Sequence, residues 1–137
     1  MQEKLIEVEY VRGITIYRFL DNTRVAFDEY LELFKIEMQK HVDAGKQDEP
    51  YPFILDISES GMFPIQYMIQ QTKPVIASFD PFPENYIAYI TSNMNDDVLI
   101  NLINGLTARG FAHKRKLFHL SKINEAIDWL LTIGNGR

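Results

Sequence analysis

The stretch Tyr51-Pro-Phe-Ile-Leu-Asp-Ile-Ser-Glu-Ser-Gly61 constrains this chain more than any other. A dense apolar run stops abruptly at Ser, Glu, Ser and Gly. Apolar residues at consecutive positions, without polar alternation, mark a strand covered on both faces. That strand is expected over Phe53–Ile57, with Asp56 near its carboxyl end. A strand of this kind sits inside a sheet with helices packed on it. The rest of the chain has to supply the neighbouring strands and the covering helices.

Upstream, Leu5 to Leu20 reads as a β-hairpin. Leu5, Glu7 and Glu9 share one parity and Ile6, Val8 and Tyr10 the other, and beyond Gly13 the residues Ile14 and Ile16 alternate with Thr15 and Tyr17. Asp21-Asn22-Thr23 then offers capping side chains to a helix over Val25–Ala44. Phe27, Tyr30, Leu31, Phe34, Met38 and Val42 recur at helical spacing along it, a stripe expected to pack on the sheet. Asp28 and Glu29 are expected in its first turn, where the helix dipole favours negative charge, and Gly45 is expected to end it.

Downstream, Met62–Ser78 reads as a second helix, with Pro64 in its first turn and Pro74 predicting a kink or an early end near Thr72. Phe79-Asp-Pro-Phe-Pro-Glu-Asn85 is a stiff loop whose two phenyl rings are expected to tuck back onto the fold, with docking as the other reading. A strand over Tyr86–Ile90 follows, then polar residues and a third helix over Asp97–Arg109 with Val98, Leu99, Leu102, Ile103 and Leu106 on its apolar side. A last strand over Lys116–Leu120 and a helix over Lys122–Ile133 close the order β-β-α-β-α-β-α-β-α, with Asn135–Arg137 expected to fray. This alternation after an opening hairpin predicts an α/β fold with a mixed, mostly parallel sheet.

At 137 residues, 46% apolar and 24% charged, with no linker or repeat, the chain reads as a single domain over 1–137. It contains no cysteine, so disulfides, thiolate metal sites and cysteine nucleophiles are excluded, which fits a cytoplasmic setting. The start Met-Gln-Glu-Lys-Leu-Ile-Glu-Val-Glu carries acidic residues where a signal peptide would be apolar, and no membrane-spanning run occurs. A net charge of −5 argues against broad affinity for nucleic acid or anionic membrane.

Three segments carry a family resemblance: Phe53-Ile-Leu-Asp-Ile-Ser58, Gly105-Leu-Thr-Ala-Arg-Gly-Phe111, and Lys116-Leu-Phe-His-Leu120 with Asn124-Glu-Ala-Ile-Asp-Trp-Leu130. Together with the element order, they resemble the STAS domain of bacterial anti-sigma-factor antagonists, and more closely its SpoIIAA-like relatives. The resemblance implies a non-enzymatic regulatory module in the cytoplasm, acting through protein contacts and holding no cofactor. The chain departs from the family where the phospho-acceptor would stand, since Phe63-Pro-Ile-Gln-Tyr67 has no side-chain hydroxyl before Tyr67. Ser58 and Ser60 lie in the earlier turn, where turn-forming and capping roles account for them. By the same resemblance the contact surface runs from Ser58 to Gln66 and into the following helix, including Met62 and Tyr67. The identity of the partner and the existence of a homodimer stay open.

A small-molecule or lipid carrier is the alternative, with Phe34, Met38, Tyr67 or Phe79 as pocket-lining residues. Ligands of open α/β sheets gather beyond the carboxyl ends of the strands. That edge would assemble Asp56, Ser58, Glu59 and Ser60 with Thr91, Ser92, Asn93 and Asn95, residue types that capping also explains. His41, His113 and His119 have no ligand-like spacing, and no phosphate loop, nucleophile elbow or dinucleotide fingerprint occurs. No catalytic set stands out. Arg109, His113, Lys114, Arg115 and Lys116 form the basic cluster, read either as a site for an acidic partner or as charge that keeps a sheet edge soluble.

Overall fold

The computed structural model describes residues 4–94, 97–108 and 114–135. Strands β1 (Ile6–Val11) and β2 (Ile14–Phe19) form the opening hairpin. Its two-residue loop, Arg12-Gly13, has positive φ at both positions, 54° and 82°. That is the backbone twist a tight hairpin requires, and Gly13 adopts it without a Cβ penalty. Helix α1 (Arg24–Asp43) starts at Thr23, whose hydroxyl accepts from the Ala26 N–H at 3.3 Å. It stops where Gly45 turns to φ +79°.

Strand β3 (Tyr51–Asp56), helix α2 (Ile65–Ala77), strand β4 (Asn85–Thr91), helix α3 (Asp97–Ala108), strand β5 (Lys114–His119) and helix α4 (Ile123–Asn135) complete the α/β fold. A single 3-10 turn, Leu120–Lys122, precedes α4. The five strands lie in sequence order, β1-β2-β3-β4-β5, with β1 antiparallel to β2 and the other pairs parallel. The run starting at Tyr51 is indeed the central strand. Each crossover steps the same way across the sheet, so α1, α2 and α3 share one face while α4 packs across β3, β4 and β5 on the other.

Strand alternation then sorts the core into two layers. Tyr17, Phe19, Phe53, Leu55, Ile87 and Tyr89 face α1–α3, where they meet Phe27, Tyr30, Phe34, Met38 and Phe63. Ile14, Ile16, Ile54, Ala88, Ile90 and Phe118 face Ala126, Ile127 and Leu130 of α4. Each fully buried large side chain contributes about 1.5–3 kcal/mol.

Several expectations are corrected. Because α1 begins at Arg24, its first turn holds no acidic residue; Glu29 instead accepts the backbone N–H groups of Leu5 and Ile6 at 3.1 and 2.7 Å, anchoring the start of β1. Pro74 does not end α2, which runs on to Ala77. Gln70 and Pro74 both lie on its exposed side, so water can take the carbonyl that loses its N–H partner, and only one turn remains beyond. Met62–Pro64 precede the helix rather than belong to it, with Pro64 as an extended cap residue. Val98 is 70% exposed although its apolar character suggested the core side of α3. The last strand starts at Lys114 rather than Lys116, and Leu120 belongs to the 3-10 turn. Phe79 and Phe82 do tuck back, packing on the core with ring centroids 6.1 Å apart. Arg109, Gly110 and His113 lie outside the described residues, as do Asn95, Gly136 and Arg137.

Candidate functional site

The parallel strands bring Arg18, Asp56, Thr91 and His119 toward one edge of the sheet, with Arg18 beside Asp56 and Thr91 beside His119. There the polar residues are taken up by neighbouring side chains and backbone groups. The buried carboxylate of Asp56 accepts the Ser58 hydroxyl at 2.6 Å and the Ser58 N–H at 3.0 Å on Oδ1. Its Oδ2 accepts Arg18 Nε at 3.1 Å. The other guanidinium nitrogens of Arg18 reach Glu7 at 3.6 Å and Glu9 at 3.3 Å. Burial works against the Arg18 charge, but Asp56 and Glu9 outweigh it and raise its pKa. Ser60 Oγ donates to the Gly61 carbonyl at 2.7 Å, and the buried Thr91 hydroxyl accepts the Asn93 N–H at 3.2 Å. Ser92 and Asn93 are exposed beyond it. These contacts are those of strand-end turns.

The other sequence candidates lie around α2. Met62 is half-buried against the core, whereas Gln66 is exposed. Tyr67 donates to Asp28 Oδ1 at 2.6 Å, with Arg24 5.1 Å over its ring. The hydrogen bond to Asp28 raises the Tyr67 pKa. Tyr67 therefore ties α2 to α1.

One concavity lies between the helices that leave β3 and β4. Ile65, Gln66 and Ile69 of α2 face Val98, Asn101, Leu102 and Gly105 of α3 across a groove of about 360 Å³. The spacings are one helical stripe from each helix, and no lining residue carries a charge. Gly105 contributes an open floor, since a Cβ built there meets nothing within 4 Å. Because α1–α3 share a face, the crevice forms between neighbouring helices and not between helices on opposite sides of a reversing sheet.

The basic cluster divides by strand parity. Lys114 and Lys116 turn to the α4 side, lying 5.5 Å over the Tyr86 ring and 5.2 Å over Phe118. Arg115, on the parity of Leu117, turns the other way, where its Nε donates to the Tyr89 hydroxyl at 3.2 Å. A smaller cavity of about 40 Å³ lies there, between α1, α2 and the sheet. His41 Nε2 meets the Glu49 carbonyl at 2.9 Å, and His119 Nδ1 caps the 3-10 turn by accepting the Ser121 N–H at 3.1 Å. Among the described residues no cluster of His, Asp and Glu could hold a metal.

No protein-family model, curated protein or solved structure matches this chain. No helix among the described residues is long and apolar enough to cross a membrane. Of the sequence-derived surface, Ile65 and Gln66 line the groove, with Ile69 farther along the helix, whereas Ser58, Ser60, Met62 and Tyr67 do not. Of the facing residues, Val98 carries the expectation of the apolar side of α3, and Gly105 falls within that expected helix. An uncharged stripe at Val98, Asn101, Leu102 and Gly105 was the available signal. Arg115 was also missed as an inward residue, although its alternation with Lys114 and Lys116 carries that information.

Proposed function

We propose that the chain is a STAS/SpoIIAA-like, non-enzymatic regulatory module of the cytoplasm, and that it works by holding an apolar segment of a partner protein in the α2–α3 groove. The observation that carries this reading is the groove: uncharged, about 360 Å³, and bordered by Val98 at 70% exposure. An apolar side chain left that open gains by covering, at roughly 25 cal/mol per Å² of apolar surface removed from water. Helix-in-groove recognition uses stripes of this spacing. The groove also adjoins the surface that the family resemblance marks, through Ile65 and Gln66. At the strand ends Asp56 is held by Ser58 and Arg18, while the Ser60 and Thr91 hydroxyls bond nearby backbone, which favours binding over catalysis.

The test compares proteins retained by the wild-type chain with those retained by Gly105→Leu, quantified by mass spectrometry from one host lysate. A Cβ at this position meets nothing within 4 Å, and the larger leucine is expected to fill the groove without disturbing the fold. The expected outcome is a partner lost from Gly105→Leu and kept by Asp48→Asn, an exposed control in the loop before β3. Identical sets from all three proteins would remove the groove from the proposal. A small adduct that leaves on denaturation would turn the reading toward a carrier.

A further inference from the structure

The guanidinium of Arg115 sits in an unusual place for a cation. Its NH1 nitrogen is buried and has no hydrogen-bond partner. An unmet donor on a charged group is costly in a protein interior, and a single anion relieves it through a short charge-assisted bond. Arg115 lines the 40 Å³ cavity, whose walls include Tyr30, Phe34, Phe53 and Tyr89. Neither Asp nor Glu is among the lining residues.

The hydroxyls around it are donors. Tyr89 accepts from Arg115 Nε, which leaves its own proton to give. Burial raises the pKa of both Tyr89 and Tyr30, with Arg115 pulling only partly the other way, so both phenols keep their protons. Cation, phenolic donors and aromatic walls thus converge on one small space. A cavity needs roughly 10–15 Å³ for each water-sized occupant, so 40 Å³ holds about three to four heavy atoms. That excludes an acyl chain or a nucleotide. A planar carboxylate of one or two carbons fits the size and the flat walls, and matches guanidinium geometry.

We infer that the cavity beside Arg115 is a binding site for a one- or two-carbon carboxylate, held by Arg115 NH1 and the Tyr89 hydroxyl. It is separate from the α2–α3 groove, and neither proposal depends on the other.

Formate and acetate are the probes, with chloride at equal ionic strength as the reference. The readouts are the Nε–H resonance of Arg115 in protein carrying ¹⁵N-arginine and the relaxation of ¹³C-formate. The expected result is a saturable shift of the Arg115 signal with formate and none with chloride. Tyr89→Phe, which keeps the guanidinium, should weaken formate by about tenfold, and Arg115→Gln should abolish the formate effect. Butyrate should fail to bind. An Arg115 signal that drifts linearly and equally with formate and chloride would overturn the site. So would saturable formate binding that Tyr89→Phe leaves unchanged.

Discussion

Across the middle of the sheet, Tyr17, Phe53 and Tyr89 turn their rings toward α1–α3, while the adjacent Ile16, Ile54 and Ala88 point to α4. The first layer is largely aromatic. Tyr17 meets Tyr30 edge-on with centroids 5.1 Å apart, and Phe34 lies 5.4 Å from Phe53. The second layer is mostly branched aliphatics and alanines, with Phe118 against Trp129 at its border. Rigid planar rings bury much area but leave gaps at their edges, whereas small branched side chains interdigitate. The 40 Å³ cavity lies in the aromatic layer, beside an arginine and several hydroxyls. One face of a sheet can thus specify packing while the other leaves room for a polar interior.

That contrast breaks most visibly at Ile54, which is 0% exposed beneath α4. Ile54→Ala should cost about 2–5 kcal/mol in urea unfolding, because its close-packed neighbours cannot collapse into the space. A cost below about 1 kcal/mol would mean that the α4 layer is looser than its burial indicates.

Alkaline pH should act on the aromatic layer. Burial pushes Tyr51 up to about 12, against partial relief from its hydrogen bonds to Thr15 and Tyr17, and raises Tyr17, Tyr30 and Tyr89 as well. A phenol with its pKa raised in the folded state is stabilising below its unfolded value of 10.0. That contribution is lost as pH climbs through the folded value. For Tyr51 the window is 10 to 12, and the loss is on the order of 3 kcal/mol. Phenolate absorbance should therefore rise together with unfolding; complete ionisation near pH 10 in a still-folded chain would contradict the burial of these hydroxyls.

A paired substitution sharpens the comparison further. Ala88→Val, at 0% exposure against α4, should destabilise by about 1–3 kcal/mol through overpacking. Thr72→Ile, on the cavity wall, should be neutral or stabilise by up to about 1 kcal/mol. Equal losses at both positions would erase the difference between the layers. The smallest effect belongs to Gly105→Ala, at an open helical position: a gain of up to about 1 kcal/mol in thermal or urea unfolding.

Much of this architecture was legible in the chain itself. The unbroken apolar run before Asp56 announced a strand covered on both faces. The parity of Ile14 and Ile16 against Thr15 and Tyr17 announced the hairpin, and Thr23 and Gly45 bounded α1. Those signals are local, since periodicity, capping and φ preference act over a few residues. The candidate site was read less well. Asp56, Ser58, Ser60 and Thr91 belong to the strand ends by sequence, but the bonds of Asp56 to Ser58 and Arg18, and of Ser60 and Thr91 to nearby backbone, cannot be seen in a string. Glu29 looked like a dipole residue until β1 arrived beside it.

Pro74, Val98 and Arg115 make the same point from the other side. Pro74 stays inside α2 because its lost hydrogen bond faces water, a fact of helix orientation. Val98 is exposed because α3 rests on the sheet through Leu99 and Ile103. Arg115 turns inward because β5 pairs with β4 in the register that sets it opposite Ile87. Amino-acid order by itself determined the elements, their sequence and the two-sided burial of the centre. Tertiary packing decided which side of each helix met the sheet, where the groove opened and where one buried guanidinium nitrogen was left without a partner. Those outcomes depend on contacts between residues far apart in the chain, which no local pattern encodes.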